Sequence, residues 1–186
     1  MQQVLAERFI SKRSITADIA LVLLGSVVVA AFAQISIPLQ PVPITGQTFA
    51  VLLVGMALGS RRGAAALALY LAEGAAGLPV FAEAKSGLVT LLGPTGGYLF
   101  GFVVAAWLVG LLAERGFDRS LLKTLVAMVA GNAVIYVLGV AWLARFVGGF
   151  SGALDFGMYP FLIGDAIKAV AAALLLPGTW KLLGKG

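Results

Sequence analysis

Apolar segments long enough to cross a membrane follow one another along this 186-residue chain, separated by short charged turns. Hydrophobic residues make up 61% of the sequence and charged residues only 11%, whereas soluble domains contain about 45–50% and about 25%, respectively. So few charges cannot cover the surface of a soluble globule of this size. The sequence therefore predicts an all-α integral membrane protein. It excludes soluble enzymes, DNA-binding domains and disordered tails.

The apolar pattern predicts a bundle of six transmembrane helices, because a span requires about 17–25 apolar residues and polar turns mark the boundaries. Prolines at positions 38, 41 and 43 end the first helix, since proline removes a backbone donor and clashes with the preceding turn. We expect residues 79–93 and 148–152 to form loops, and the whole chain, 1–186, to form a single membrane domain. The predicted spans are residues 15–35, 47–60, 63–77, 95–113, 121–145 and 158–183.

Six spans place both termini on one side of the membrane, and the basic residues indicate which side. Cytoplasmic loops carry an excess of lysine and arginine. Lys85 and Arg145 lie on the side opposite the termini, and Lys168 lies inside the last span. The other ten of the 13 basic residues lie on the side of the termini: Arg8, Lys12, Arg13, Arg61, Arg62, Arg115, Arg119, Lys123, Lys181 and Lys185. This asymmetry predicts a multi-pass membrane protein with both termini cytoplasmic. Cleavage after Ala31-Phe32-Ala33 is the alternative, and it would leave five spans.

The residue types that are missing exclude several kinds of chemistry. The sequence contains neither cysteine nor histidine, so thiolate or imidazole metal sites, cysteine nucleophiles and Ser-His-Asp triads are excluded. It also lacks a G-x-x-x-x-G-K-[ST] segment, the usual ATP-binding loop. The basic residues flank apolar segments and form no stripe, which disfavours nucleic acid as a partner. We predict no enzyme activity, no catalytic residue, no metal site and no cofactor.

Polar side chains within the predicted spans are the candidates for ligand binding. Asp165 and Lys168 lie three residues apart and share a helix face. They could form a buried ion pair that only fixes helix register, but such a pair contributes little net stability, so contact with a ligand is favoured. Asn132 and Tyr136 form a second polar face, four residues apart.

Two loops add further candidates. The segment 93–98 is rich in glycine, which lets a backbone approach a ligand closely, and it leads into a helix N-terminus that could receive a carboxylate. The stiff segment 38–47 carries Thr45 and Gln47 and is long enough to lie across the mouth of a pocket.

Small residues recur at four-residue spacing, which allows close approach of helices in lipid. We expect these ladders to pack helices within the chain, with a homodimer interface as the alternative. They comprise Gly55 and Gly59, then Ala64, Ala68, Ala72 and Ala76, then Gly93, Gly97 and Gly101.

Four motifs, in order along the chain, resemble those of the BioY family, the biotin-capturing S components of energy-coupling-factor (ECF) transporters. They are Gln-Pro-Val-Pro-Ile-Thr-Gly-Gln-Thr at 40–48, Gly-Leu-Pro-Val-Phe at 77–81, Gly-Pro-Thr-Gly-Gly-Tyr-Leu at 93–99 and Gly-Asp-Ala-Ile-Lys at 164–168. The resemblance implies a six-helix membrane bundle with a biotin pocket near the outer surface, covered by the loop between the first two spans. It also implies a transmembrane T component and a pair of ABC-type ATPases as partners.

The resemblance assigns Asp165 and Lys168 to the ureido ring of biotin and the segment 93–98 to its valerate side. Phe81, Tyr98 and Trp142 suit the walls around the thioether ring, and Lys85 or Arg145 could receive the carboxylate. In the family, an Ala-x-x-x-Ala patch on the first span contacts the T component, and Ser26-x-x-x-Ala30 is the nearest match. The predicted ligand-binding residues are Asp165, Lys168, Asn132, Tyr98, Gly96, Gly97, Thr95, Phe81, Thr45 and Gln47. An S component for another small vitamin and a membrane scaffold without transport activity are the alternatives.

Overall fold

A computed structural model describes residues 2–8 and 14–184, and helices dominate it. Lys12, Arg13 and Lys185, which the charge argument used, lie outside the described residues. Two-residue strands β1 (Ser36–Ile37) and β2 (Ile44–Thr45) pair antiparallel, with Ser36 opposite Thr45. The helices are α1 (Ile15–Ala33), α2 (Gln47–Leu58), α3 (Ser60–Ala75), α4 (Leu88–Leu92), α5 (Gly96–Ala113), α6 (Leu121–Leu143), α7 (Phe150–Gly157) and α8 (Leu162–Leu182). Short 3-10 turns occur at Leu5–Arg8, Ala82–Ala84 and Tyr159–Phe161.

Each helix boundary has a local cause in the sequence. The Ser14 hydroxyl caps α1 by accepting a hydrogen bond from the Ala17 amide at 3.1 Å. Gly59, at φ 85°, ends α2 and separates it from α3, in a conformation that residues with a Cβ atom rarely adopt. Pro94 precedes α5, and the glycines at 148 and 149 follow α6. Sequence and structure therefore agree closely on where the long helices begin and end.

Among the described residues, four helical segments are long and apolar enough to cross a membrane: Ile15–Ala33, Gly96–Ala113, Leu121–Leu143 and Phe150–Leu182. The helices α2, with 12 residues, and α3, with 16 residues, are shorter, about 18 and 24 Å at 1.5 Å per residue. The six predicted spans correspond mainly to α1, α2, α3, α5, α6 and α8, but the described residues form two further helices, α4 and α7, so the count of six helices is not confirmed. The expectation of plain loops at 79–93 and 148–152 was wrong in part, because α4 and the start of α7 form there. The last predicted span, expected from 158, divides into a 3-10 turn and α8.

Glycines bring the central helices into close contact. A Cβ atom on Gly55 would lie 2.6 Å from the Ala106 carbonyl oxygen, and one on Gly110 would lie 2.4 Å from the Ser60 amide nitrogen. Within the predicted ladders, Gly55, Gly97 and Gly101 pack helices within the chain, as expected, whereas Gly59 and Gly93 lie at helix ends. The alanine ladder of α3 does not, because Ala68, Ala72 and Ala76 are exposed. The buried face of that helix carries larger residues such as Tyr70 instead.

The two ends of the helix bundle differ in charge. At one end, Arg62 binds Asp18 at 2.7 Å, and Arg119 and Arg8 donate to the carbonyl groups of Gln3 and Gly184, both at 3.1 Å. The other end is formed by the last turns of α1, α3 and α6, the first turns of α2, α5 and α8, and the loops 35–46 and 76–95. A cavity opens at this less basic end.

Candidate functional site

The cavity has apolar walls and a small group of polar side chains. Helices α2, α5, α6 and α8 supply its floor and sides, and the loops 35–46 and 76–95 supply its cover. The apolar lining consists of Val42, Pro43, Phe81, Ala82, Leu99, Phe102, Ile135 and Phe161. The polar lining consists of Thr45, Gln47, Thr48, Lys85, Thr90, Thr95, Tyr98, Tyr136, Asp165 and Lys168. Such a lining suits a small organic ligand with a few polar groups.

Asp165 is the centre of the polar group. Asp165 is only 5% exposed. Lys168 lies one turn further along α8, and its Nζ atom is 3.0 Å from the Oδ1 atom of Asp165. Thr48 also donates to Oδ1, at 2.8 Å, and the Tyr136 hydroxyl donates to Oδ2. A carboxylate offers about four acceptor positions. The three described protein donors therefore leave one acceptor position of Asp165 for a further hydrogen bond.

Lys168 connects α8 to the loop between α1 and α2. Its ammonium group donates to the Thr45 carbonyl oxygen and to the Thr48 hydroxyl, both at 2.8 Å, in addition to Asp165. Its side chain is 20% exposed, so it lies at the surface of the cavity and not beneath it. The pair is thus part of a network that spans three segments, which is more than an ion pair along one helix requires.

Gln47 and Phe81 extend the site toward α3. Gln47 donates from Nε2 to the Tyr70 hydroxyl at 2.6 Å, and Tyr70 donates onward to the Val80 carbonyl oxygen at 3.1 Å. The Phe81 ring, in a residue 1% exposed, meets Tyr70 edge-on with the ring centroids 5.4 Å apart. It covers Gly74, where a Cβ atom would lie 2.0 Å from the ring. Only glycine at position 74 leaves room for this wall of the cavity.

Seven of the ten predicted site residues line the cavity, namely Thr45, Gln47, Phe81, Thr95, Tyr98, Asp165 and Lys168. Asn132, Gly96 and Gly97 do not belong to the described lining. A Cβ atom on Gly97 would lie 2.2 Å from the Cβ atom of Trp142, and on Gly96 it would lie 1.9 Å from the Leu91 carbonyl oxygen. These two glycines serve contacts with α6 and α4. Asn132 is buried one turn from Tyr136, and its Oδ1 atom has no described hydrogen-bond partner.

The predicted set omits four polar residues of the lining, Thr48, Lys85, Thr90 and Tyr136, of which Thr48 and Tyr136 belong to the group around Asp165. Both bind Asp165 directly. Thr48 directly follows Gln47 within the 40–48 motif, and Tyr136 shares a helix face with Asn132, so the sequence carried a signal for each. No sequence signal marked the apolar residues Phe102 and Phe161 as site residues, because nothing in the sequence distinguishes them from other aromatic residues of the core.

The mouth of the cavity carries one basic group, Lys85, which pairs with Glu83 at 2.6 Å. Arg145 lies outside the described lining and stacks on Trp142, with its guanidinium carbon 3.8 Å from the ring centroid. Trp142 in turn donates to the Gly93 carbonyl oxygen at 2.9 Å, so it supports the start of α5 and does not line the cavity. The amides of Gly96 and Tyr98 donate to the carbonyls of Gly93 and Thr95. Of the basic groups, Lys85 is therefore better placed than Arg145 to receive an anionic ligand group.

Comparisons with known proteins identify relatives of this chain. The model of the BioY family matches residues 2–185. The chain is 49% identical over 143 residues to the biotin transporter BioY of Thermotoga maritima, covering 77% of this chain and 83% of that protein. It is 40% identical over 158 residues to a probable biotin transporter BioY of Pyrococcus horikoshii, covering 85% and 93%. Its fold matches the crystal structure of the S-component for biotin from an ECF-type ABC transporter, with a TM-score of 0.80, 22% identity and coverage of 94% and 96%.

Proposed function

Because the chain belongs to the BioY family, we propose that it captures biotin in the cavity around Asp165 and Lys168 and takes part in biotin uptake across the plasma membrane. Its role is that of the substrate-binding subunit of an ECF-type transporter, and it is not an enzyme. The observation that carries this proposal is the buried Asp165–Lys168 pair, which faces a cavity with apolar walls in a member of this family.

The polar group suits the ureido ring of biotin, a planar urea with two N–H donors and one carbonyl acceptor. Asp165 has an acceptor position left for a urea N–H group. Lys168 is the donor for the urea oxygen, and it can exchange one of its three protein acceptors for that oxygen. A hydrogen bond that involves a charged partner is about twice as strong as a neutral one. These two charged groups therefore give the site its selectivity for a urea.

The apolar lining suits the thioether ring and the aliphatic tail. Phe81, Phe102 and Phe161 are all at most 9% exposed and present rigid aromatic surface to the cavity. Burial of such surface supplies affinity at about 25 cal/mol per Å². Lys85, at the mouth, receives the valerate carboxylate in place of Glu83, its present partner.

We infer that the chain forms a single membrane domain that crosses the membrane six times, with α2 and α3 as the short spans. The short spans are flanked by longer helices, and their own lengths are insufficient for a bilayer core of about 30 Å. The cavity lies at the end that carries Lys85 and Arg145, while Arg61, Arg62 and Arg119 lie at the other end. The positive-inside rule then favours a cavity open to the outside and both termini in the cytoplasm.

Energy for uptake has to come from partners, because the sequence has no ATP-binding loop. We infer a transmembrane T component and a pair of ABC-type ATPases. In Ser26-x-x-x-Ala30, the nearest match to the family's T-component patch, Ser26 is fully buried and donates to Glu73 on α3, so we do not place the T-component contact on this serine. A homodimer is the alternative assembly, and the exposed alanines of α3 offer a face for a second copy.

Equilibrium binding of radiolabelled biotin to the purified protein in detergent tests this function. We expect saturable binding with submicromolar affinity, because the cavity combines charged hydrogen-bonding groups with apolar walls. The second candidate function is that of an S component for another small vitamin. Every feature of the site except its fit to a urea agrees with that function as well. Absence of biotin binding at micromolar concentrations, together with tight binding of another vitamin, contradicts the proposal.

A further inference from the structure

Gln34 lies between the end of α1 and the 35–46 loop, and its side chain is hydrogen-bonded to the 80–85 loop. Its Nε2 atom lies 3.1 Å from the Phe81 carbonyl oxygen and 3.4 Å from that of Val80, and also 3.2 Å from the carbonyl oxygen of Ala30 on its own helix. Its Oε1 atom accepts a hydrogen bond from the Ala84 amide at 3.1 Å. We propose that Gln34 is a positioning residue for the ligand, one that holds the 80–85 loop at the end of α1, where the 35–46 loop begins, and thereby slows release of biotin.

The 80–85 loop needs such support because its backbone is strained. Glu83 and Ala84 have φ values of 61° and 55°, in the left-handed region that residues with a Cβ atom rarely occupy. Conformations of this kind persist only where the surroundings hold them in place. The bond from the Ala84 amide to Gln34 acts at one of the two strained residues. It therefore holds the loop at the point where the backbone most readily relaxes.

The same loop carries a wall of the cavity. Phe81, Ala82 and Lys85 all belong to the described lining. The Val80 carbonyl oxygen, which Gln34 contacts, also accepts the hydrogen bond from Tyr70, and Tyr70 in turn receives one from Gln47 in the cavity. Release of the loop from Gln34 would thus loosen both the aromatic wall and the hydrogen-bonded chain behind it.

The second loop begins directly after Gln34. Its two strands bring residue 36 beside residue 45, and the Gly46 amide donates to the Ile35 carbonyl oxygen at 2.9 Å. The loop supplies Val42, Pro43 and Thr45 to the lining, and Lys168 holds the Thr45 carbonyl oxygen from the other side. The Gln34 side chain therefore connects the 80–85 loop to the point in the chain where the 35–46 loop begins.

The inference rests on the proposed function, since the ligand is biotin, and Gln34→Met tests it. Methionine keeps the length and the apolar stem of glutamine but makes none of these hydrogen bonds. We expect the dissociation rate of biotin to rise about tenfold, equivalent to about 1.4 kcal/mol, while the association rate stays within about threefold of wild type. The control Gln3→Met makes the same change at the opposite end of the bundle, where only the backbone carbonyl of Gln3 is bonded in the described structure.

A measurement without biotin tests directly whether Gln34 holds the 80–85 loop in place. The chain contains no cysteine, so a nitroxide attached at Glu83→Cys in the full-length protein reports on this loop alone. We expect its spectrum to show greater mobility with Gln34→Met than with wild-type Gln34, and no change with Gln3→Met. An unchanged spectrum overturns the inference, and so does a mobile loop with an unchanged dissociation rate. If the wild-type protein binds no biotin, the proposed function fails, while the nitroxide spectrum still decides whether Gln34 holds the loop.

Discussion

Replacing Asp165 by asparagine keeps the shape of the side chain and removes its charge. The ammonium group of Lys168 can only donate hydrogen bonds, so the amide oxygen of the variant has to face Lys168 and Thr48. The amide nitrogen then faces Tyr136. Tyr136 can turn from donor to acceptor, but the side that served a urea N–H group now presents a donor. The protein network is thus largely kept, and the contact with the ligand is lost.

The size of the effect follows from the type of bond. Hydrogen bonds to charged groups contribute about 1.5–3 kcal/mol, which corresponds to about 10- to 100-fold in affinity at about 1.4 kcal/mol per tenfold. We expect the Kd for biotin to rise by that factor in Asp165→Asn. The exposed Asp155→Asn, on α7 and outside the described cavity lining, is the matched control.

Removal of the carboxylate charge also leaves the partly buried Lys168 ammonium group without a counter-charge, so Asp165→Asn should lower the thermal stability of the unliganded protein as well. The double variant Asp165→Asn with Lys168→Met removes both charges. If the pair serves ligand binding, the double variant regains thermal stability and still binds biotin weakly. A stable double variant with near-native biotin affinity would refute the assignment of this pair to the binding site.

Further predictions concern other parts of the molecule. Lys85→Met should weaken binding of biotin but not of its methyl ester, and an equal loss for both contradicts a role for Lys85 at the carboxylate. Asn132→Leu should leave the Kd for biotin within about threefold, because Asn132 lies outside the described cavity lining; a tenfold loss would place Asn132 in the site. Burial raises the pKa of Asp118, in the α5–α6 turn, against the smaller opposing effect of its bond from Trp180. Ionisation of Asp118 therefore lowers the free energy of unfolding as pH rises through the pKa that this group has in the folded protein. We expect Tm to fall less with rising pH in Asp118→Asn than in the wild type, and an unaltered dependence of Tm on pH contradicts this. Liposomes that hold this chain alone should not concentrate biotin on addition of ATP.

The sequence alone was sufficient for three of the long helices and for the family, but not for the short helices α4 and α7. The length of an apolar segment and the positions of proline and glycine at its ends are local properties of the sequence. The bounds of α1, α5 and α6 therefore agree with the predicted spans within two residues. The spacing of Asp165 and Lys168 also places both on one face of any helix. The membership in the BioY family, inferred from four motifs in order, is confirmed by the family comparison.

Only the tertiary structure decided between residues that are locally equivalent. Asn132 and Tyr136 lie on the same helix face, and their different depths, which depend on the packing of α6 against its neighbours, bring only Tyr136 to Asp165. A glycine permits close approach of any group, so the sequence could not tell that Gly97 receives Trp142 and not a ligand. The role of Gln34 depends on a loop 46 to 50 positions further along the chain. Contacts over such separations are set by the packed fold, and no local pattern in the sequence encodes them.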